Sequence, residues 1–102
     1  MTPAELGFTD LPTYGQICDR AIELGLAICP REVGPALRLA YPDQPFGEGL
    51  RVAMKEVADS LGNRLVFYVG HGGGGPWLGT RWFEPQSVWR LGDQFVFMGP
   101  RK

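Results

Sequence analysis

Between residues 70 and 75 only His71 interrupts a run of glycine, and that run dictates where the chain must turn. Gly70 and Gly72 to Gly75 cannot sustain a helix, since each glycine costs about 1 kcal/mol there relative to alanine. The residues before them, Leu65 to Val69, are all apolar or aromatic, four of the five being β-branched or aromatic, and read as a strand. Trp77 to Phe83 reads the same way, so Gly72 to Gly75 are expected to form a loose hairpin loop. Further strands are predicted at Val88 to Leu91 and at Gln94 to Met98, with Leu91, Gly92 and Asp93 turning into the last.

The first half is helical in character. Thr13 to Gln16 has the T-x-x-Q form of a capping box, and Pro12 and Ile17 are placed as a hydrophobic staple. Tyr14, Ile17, Cys18, Ala21 and Ile22 then recur at helical spacing up to Gly25, a natural stop. Pro30 suits the first position of a second helix, short or broken by Gly34 and Pro35 and ended by Pro42. Residues 50 to 61 fit a helix by period. A turn over Asp59 to Asn63 before the Leu65 strand favours a strand there instead, which would complete a hairpin. The predicted class is α+β: two N-terminal helices packed on an antiparallel meander of about four strands, in one domain over residues 1–102.

Several chemistries are disfavoured. His71 to Gly74 spells the H-G-G-G oxyanion element, but Ser60 and Ser87 are the only serines and neither lies in G-x-S-x-G. Gly70, Gly72 and Gly75 satisfy G-x-G-x-x-G, with Asp93 downstream, yet Pro76 to Arg81 is a poor helix to receive a pyrophosphate. One histidine and two cysteines without C-x-x-C or H-E-x-x-H form no metal pattern, and His71 is expected to be solvated. Cys18 and Cys29 are read as reduced, packed thiols. Glu48, Glu56, Asp59 and Glu84 are the carboxylates whose convergence would support acid–base chemistry. No catalytic, cofactor-binding or metal-binding residue is assigned. No signal peptide or membrane span is read, so the expected location is cytoplasmic.

The stretch from Cys29 to Tyr41, with Asp43-Gln44-Pro45 and Gly47-Glu48, resembles a segment of small uncharacterised bacterial proteins of the mobile (integron) gene cassette type. The likeness runs from about Thr9 to Val96 and implies a fold without an activity. Such relatives often carry a proline near the position of Glu56, which supports the strand reading of residues 50 to 58. Glu56 itself departs from that pattern.

The positive signal is the interleaving of Phe67, Tyr68, Trp77, Trp82, Phe83, Trp89, Phe95 and Phe97 with Arg64, Arg81, Arg90 and Arg101. Seven acids against three arginines leave residues 1–50 at −4, while residues 51–102 carry +3. Alternation sets Leu65, Phe67 and Val69 on one sheet face and Val66 and Tyr68 on the other, so both faces are apolar. If the helices cover one face, the other must meet another part of the chain, a second subunit or a ligand. The expected function is therefore a noncatalytic binding or assembly module. Its expected partners are a second copy of the chain, as a homodimer, or a small apolar ligand. Tyr68, His71, Trp77, Arg81, Trp82, Trp89 and Arg90 are the candidate contact residues. Single-stranded nucleic acid is the alternative partner, read by stacking on the aromatics, although a net charge of −1 speaks against a general polyanion binder. A small enzyme of unrecognised type is the second alternative.

Overall fold

The computed structural model describes residues 1–58, 60–61 and 63–99. Its centre is the hairpin the glycines demand, β3 (Arg64–Gly72) and β4 (Gly75–Phe83), paired in unbroken antiparallel register from Arg64↔Phe83 to Gly72↔Gly75. The loop is tight, not loose. Gly72 and Gly75 belong to the ladder, only Gly73 and Gly74 turn, and Gly75 takes a φ of 104° that side chains rarely adopt.

Residues 50 to 58 are strand, but interrupted. β1 (Gly49–Val52) pairs with Gly70 to Tyr68, and β2 (Val57–Ala58) pairs with Leu65 and Arg64. Since β4 occupies one whole edge of β3, β1 and β2 share the other. Between them the backbone finds different partners. Ala53 N–H donates to Val96 O at 3.0 Å, Cys29 N–H donates to Ala53 O at 2.6 Å, and Met54 N–H donates to the Tyr14 hydroxyl at 2.8 Å. The turn expected over Asp59 to Asn63 lies partly outside the described residues; Ser60 and Leu61 are in turn conformation.

β5 (Gln94–Val96) crosses back to pair with β1 in parallel, Leu50↔Gln94 to Val52↔Val96. The class is α+β with a mixed, mostly antiparallel five-stranded sheet, and the final strand does not extend a meander. The strand expected at Val88 to Leu91 is absent: Val88 makes one isolated bridge to Thr13. Proline at 85 and the turn at Arg90 to Asp93, where Asp93 Oδ2 accepts the Arg90 N–H at 3.0 Å, hold this stretch in irregular conformation.

α1 (Tyr14–Glu23) begins with the expected capping box: Thr13 accepts from Gln16 N–H at 3.3 Å and the Gln16 side chain accepts from Thr13 N–H at 2.9 Å. Gly25, at φ 87°, follows its end. α2 (Val33–Ala40) starts later than Pro30 predicts, because Pro30 O accepts the Val33 N–H in a preceding turn. Pro35 falls in the first turn of α2, where no backbone donor is needed.

Ladder partners share a face, so Val66, Tyr68, Phe83 and Phe95 lie on one side of the sheet and Leu65, Phe67, Val69 and Trp82 on the other. Tyr14 of α1 packs on the first side, 4.9 Å from the Phe83 ring and 6.4 Å from Phe95. Gly34 of α2 packs on the second, so close that an added Cβ would stand 2.7 Å from the Phe67 ring. The two helices therefore sandwich the sheet. This corrects the expectation that both would share one face and leave the other bare.

Candidate interaction surface

The sandwich leaves the ends of each face uncovered, and the candidate residues divide accordingly. Trp89 is turned inward. It is 9% exposed and packs between Phe83 and Phe95 with ring centroids 5.5 Å from each, so it belongs to the core and not to an interface. The irregular segment that carries it, where a strand was expected, folds back over the sheet through the Trp89 N–H to Pro12 O bond of 2.9 Å. Arg90, its neighbour, is exposed.

Trp77, Tyr68 and Arg81 do come together. Tyr68 and Trp77 lie 5.1 Å apart by ring centroid, and the Arg81 guanidinium sits 3.8 Å over the Tyr68 ring. Arg51 approaches the same ring at 5.2 Å while pairing with Asp93 at 3.5 Å. Glycines make this possible. An added Cβ at Gly79 would stand 2.5 Å from the Trp77 ring, at Gly70 2.7 Å from it, and at Gly49 1.7 Å from the Tyr68 hydroxyl. The rings lie flat where those side chains would otherwise stand, and Trp77 stays 39% exposed.

Trp82 faces the opposite side and is 56% exposed. By register it continues a row with Leu65 and Val57 across three strands, two residues along β3 from the Phe67 position that α2 covers. Leu78, on the same face of β4, is also exposed. The outermost strand thus carries exposed aromatic surface on both of its faces.

His71 is not solvated as expected. It is half-buried, its Nδ1 lies 2.6 Å from Gln44 O, and the Phe46 ring meets it edge-on at 5.7 Å. A carbonyl can only accept, so Nδ1 carries the proton. Gln44 anchors this latch at 1% exposure: its amide donates to Val69 O at 3.1 Å and Glu48 O at 3.2 Å, and its Oε1 accepts from Arg38 Nη1 at 2.7 Å. Arg38 also reaches Gly70 O at 2.8 Å, Trp77 O at 3.3 Å and, through Nη2, Tyr41 O at 2.6 Å. Neither Gln44 nor Arg38 stands out in the sequence. A glutamine between two prolines in a loop was the one available hint. The glycine amides next to His71 are taken up by a hairpin, and a strand, not a helix, follows them.

A cleft of about 320 Å³ opens between α1 and the sheet, lined by Tyr14, Cys18, Met54, Lys55, Glu56 and Arg64 among others. Burial pushes the Cys18 thiol up to about 11, the charges of Glu56 and Asp19 adding to this and its hydrogen bond with Tyr14 opposing it. Burial likewise raises the Tyr14 phenol. A protonated thiol is a poor nucleophile. The candidate carboxylates are held separately: Glu56 pairs with Arg64 at 2.8 Å, Glu84 accepts from Gln86 at 2.5 Å, and Glu48 lies against Gln44. Asp59 lies outside the described residues, as does Arg101. Among the described residues no group of three or more His, Cys, Asp or Glu side chains is placed to hold a metal ion. No described helix is long and apolar enough to cross a membrane.

Compared with known proteins, the chain matches no family model, no curated protein and no solved structure.

Proposed function

We propose that this chain is a noncatalytic binding and assembly module that self-associates through the aromatic surface of its outermost strand. The observation that carries this reading is Trp82, 56% exposed at the end of an apolar row whose other members, Leu65 and Val57, are half-buried. Tryptophan is enriched at the centres of interfaces, where it supplies large contact area at small entropic cost. The two free thiols fit a reducing, cytoplasmic setting. We place the protein with the gene-cassette proteins that its Cys29 to Glu48 stretch resembles. Sedimentation velocity over a concentration series tests the reading: the native chain is expected to form a dimer and Trp82→Glu to shift it towards monomer. A native chain that is monomeric at every concentration overturns it.

A second reading has its own support in the Trp77, Tyr68 and Arg81 cluster. An exposed ring beside a guanidinium that no acid pairs among the described residues is the arrangement that stacks a base and holds a phosphate. Quenching of tryptophan fluorescence by a single-stranded oligonucleotide, weakening steeply as salt rises, would favour this reading.

A further inference from the structure

We infer that the partner is a second copy of this chain and that the two join edge to edge through β4, each extending the other's sheet. This rests on the self-association proposed above and specifies its geometry. The first observation is the direction of the backbone groups. Gly47, just before β1, donates its N–H to His71 O at 2.9 Å, so odd-numbered residues of β3 turn towards β1 and even-numbered ones towards β4. Gly70 and Trp77 are then a bonded pair, and alternation turns the backbone groups of Leu78, Thr80 and Trp82, with the Pro76 carbonyl, away from β3. Among the described residues no other part of the chain bonds to them.

The second observation is an asymmetry between the two sides of the sheet. At β5, Phe95 N–H donates to Met1 O at 2.9 Å and Phe95 O accepts from the Met1 amino group at 2.5 Å, so the chain itself covers that edge. β4 has no such cover among the described residues. It also lacks the devices that keep an open edge from pairing: its register with β3 has no bulge, its proline sits at the second position, and its one charge, Arg81, is folded over Tyr68. A nine-residue edge of this kind is a template for another strand.

The third observation selects the occupant. An antiparallel strand edge is its own complement under a two-fold axis, so a second β4 fits the first without any new segment. The exposed Trp77 on one face and Leu78 and Trp82 on the other are then brought towards their counterparts, which gives the pairing an apolar cover on both sides.

Amide hydrogen exchange of the full chain, followed by mass spectrometry or NMR at concentrations above and below the sedimentation midpoint, tests this. The amides of Leu78, Thr80 and Trp82 are expected to slow by roughly tenfold or more in the dimer. Those of Trp77, Gly79 and Arg81, already bonded to β3, should stay protected at both concentrations. Thr80→Pro removes one outward N–H and leaves the bonds to β3 intact, so the folded variant should sediment as a monomer. A dimer in which Leu78, Thr80 and Trp82 exchange as fast as in the monomer overturns edge pairing while leaving self-association standing. So does a folded Thr80→Pro that still dimerises. A native chain that never dimerises overturns both.

Discussion

The Tyr14 hydroxyl bridges the two backbone groups of Met54, accepting from its N–H at 2.8 Å and donating to its carbonyl. One side chain from α1 thus satisfies the main chain where the strand of residues 49–58 leaves the ladder. Tyr14→Phe keeps the ring packing against Phe83 and strands both groups in the core. A loss of about 1–3 kcal/mol is expected, measured by denaturant unfolding, with an unchanged far-ultraviolet spectrum. A variant as stable as the native chain would show that the bridge contributes nothing.

Two helical glycines should respond to alanine with opposite signs. At Gly34 the new methyl would stand 2.7 Å from the Phe67 ring, so overpacking is expected to cost about 1–3 kcal/mol. At Gly15 nothing lies within 4 Å and the conformation is helical, so Gly15→Ala should stabilise by up to about 1 kcal/mol. Paired thermal melts decide this; equal shifts would contradict the packing of α2 on Phe67.

Gln44→Ala removes the amide that holds Val69 O, Glu48 O and Arg38 together in a buried position. A cost of about 1–3 kcal/mol is expected, and His71→Ala should cost less, about 1 kcal/mol, because one hydrogen bond at a half-buried site is lost. The two should not add, since both loosen the same loop from the hairpin. A double-mutant cycle read by chemical denaturation measures the coupling, and strict additivity would refute the shared latch.

Cys18 should resist alkylation. With its thiol raised from the ordinary 9 to about 11, the thiolate fraction at pH 8 falls roughly a hundredfold. Iodoacetamide labelling followed by mass spectrometry should be slow in the native state and fast in urea. The fold favours the neutral thiol, so the associated stability is complete below pH 9 and is lost as pH rises towards 11. Cys18→Ala should flatten that part of the alkaline stability profile; a profile identical to the native one would count against it.

The sequence is informative where a local rule decides. Thr13 and Gln16 place the start of α1 to the residue, and the glycines around His71 place the hairpin. It is silent where the partner is remote. Nothing near Phe95 says that it will return beside Arg51 in parallel, and nothing near Trp89 says that its segment will fold inward. The interruption at residues 53–56 is set by Tyr14, Cys29 and Val96, three positions far away in the chain. Of the candidate surface, the Trp77, Tyr68 and Arg81 grouping follows from strand pairing, whereas the glycine bed beneath the rings becomes visible only once Gly49, Gly70 and Gly79 are seen in register.

The return of β5 to the side of β1 sets the order in which the molecule can assemble. α1 and the β3–β4 hairpin close short stretches of chain and can form early, whereas joining residue 50 to residue 94 requires the whole intervening chain to be drawn together first. In a refolding experiment the hairpin amides should gain protection before those of β5. The last step to complete is then the one that seats Phe95, so premature dimer formation through the hairpin would compete with closure of the core itself.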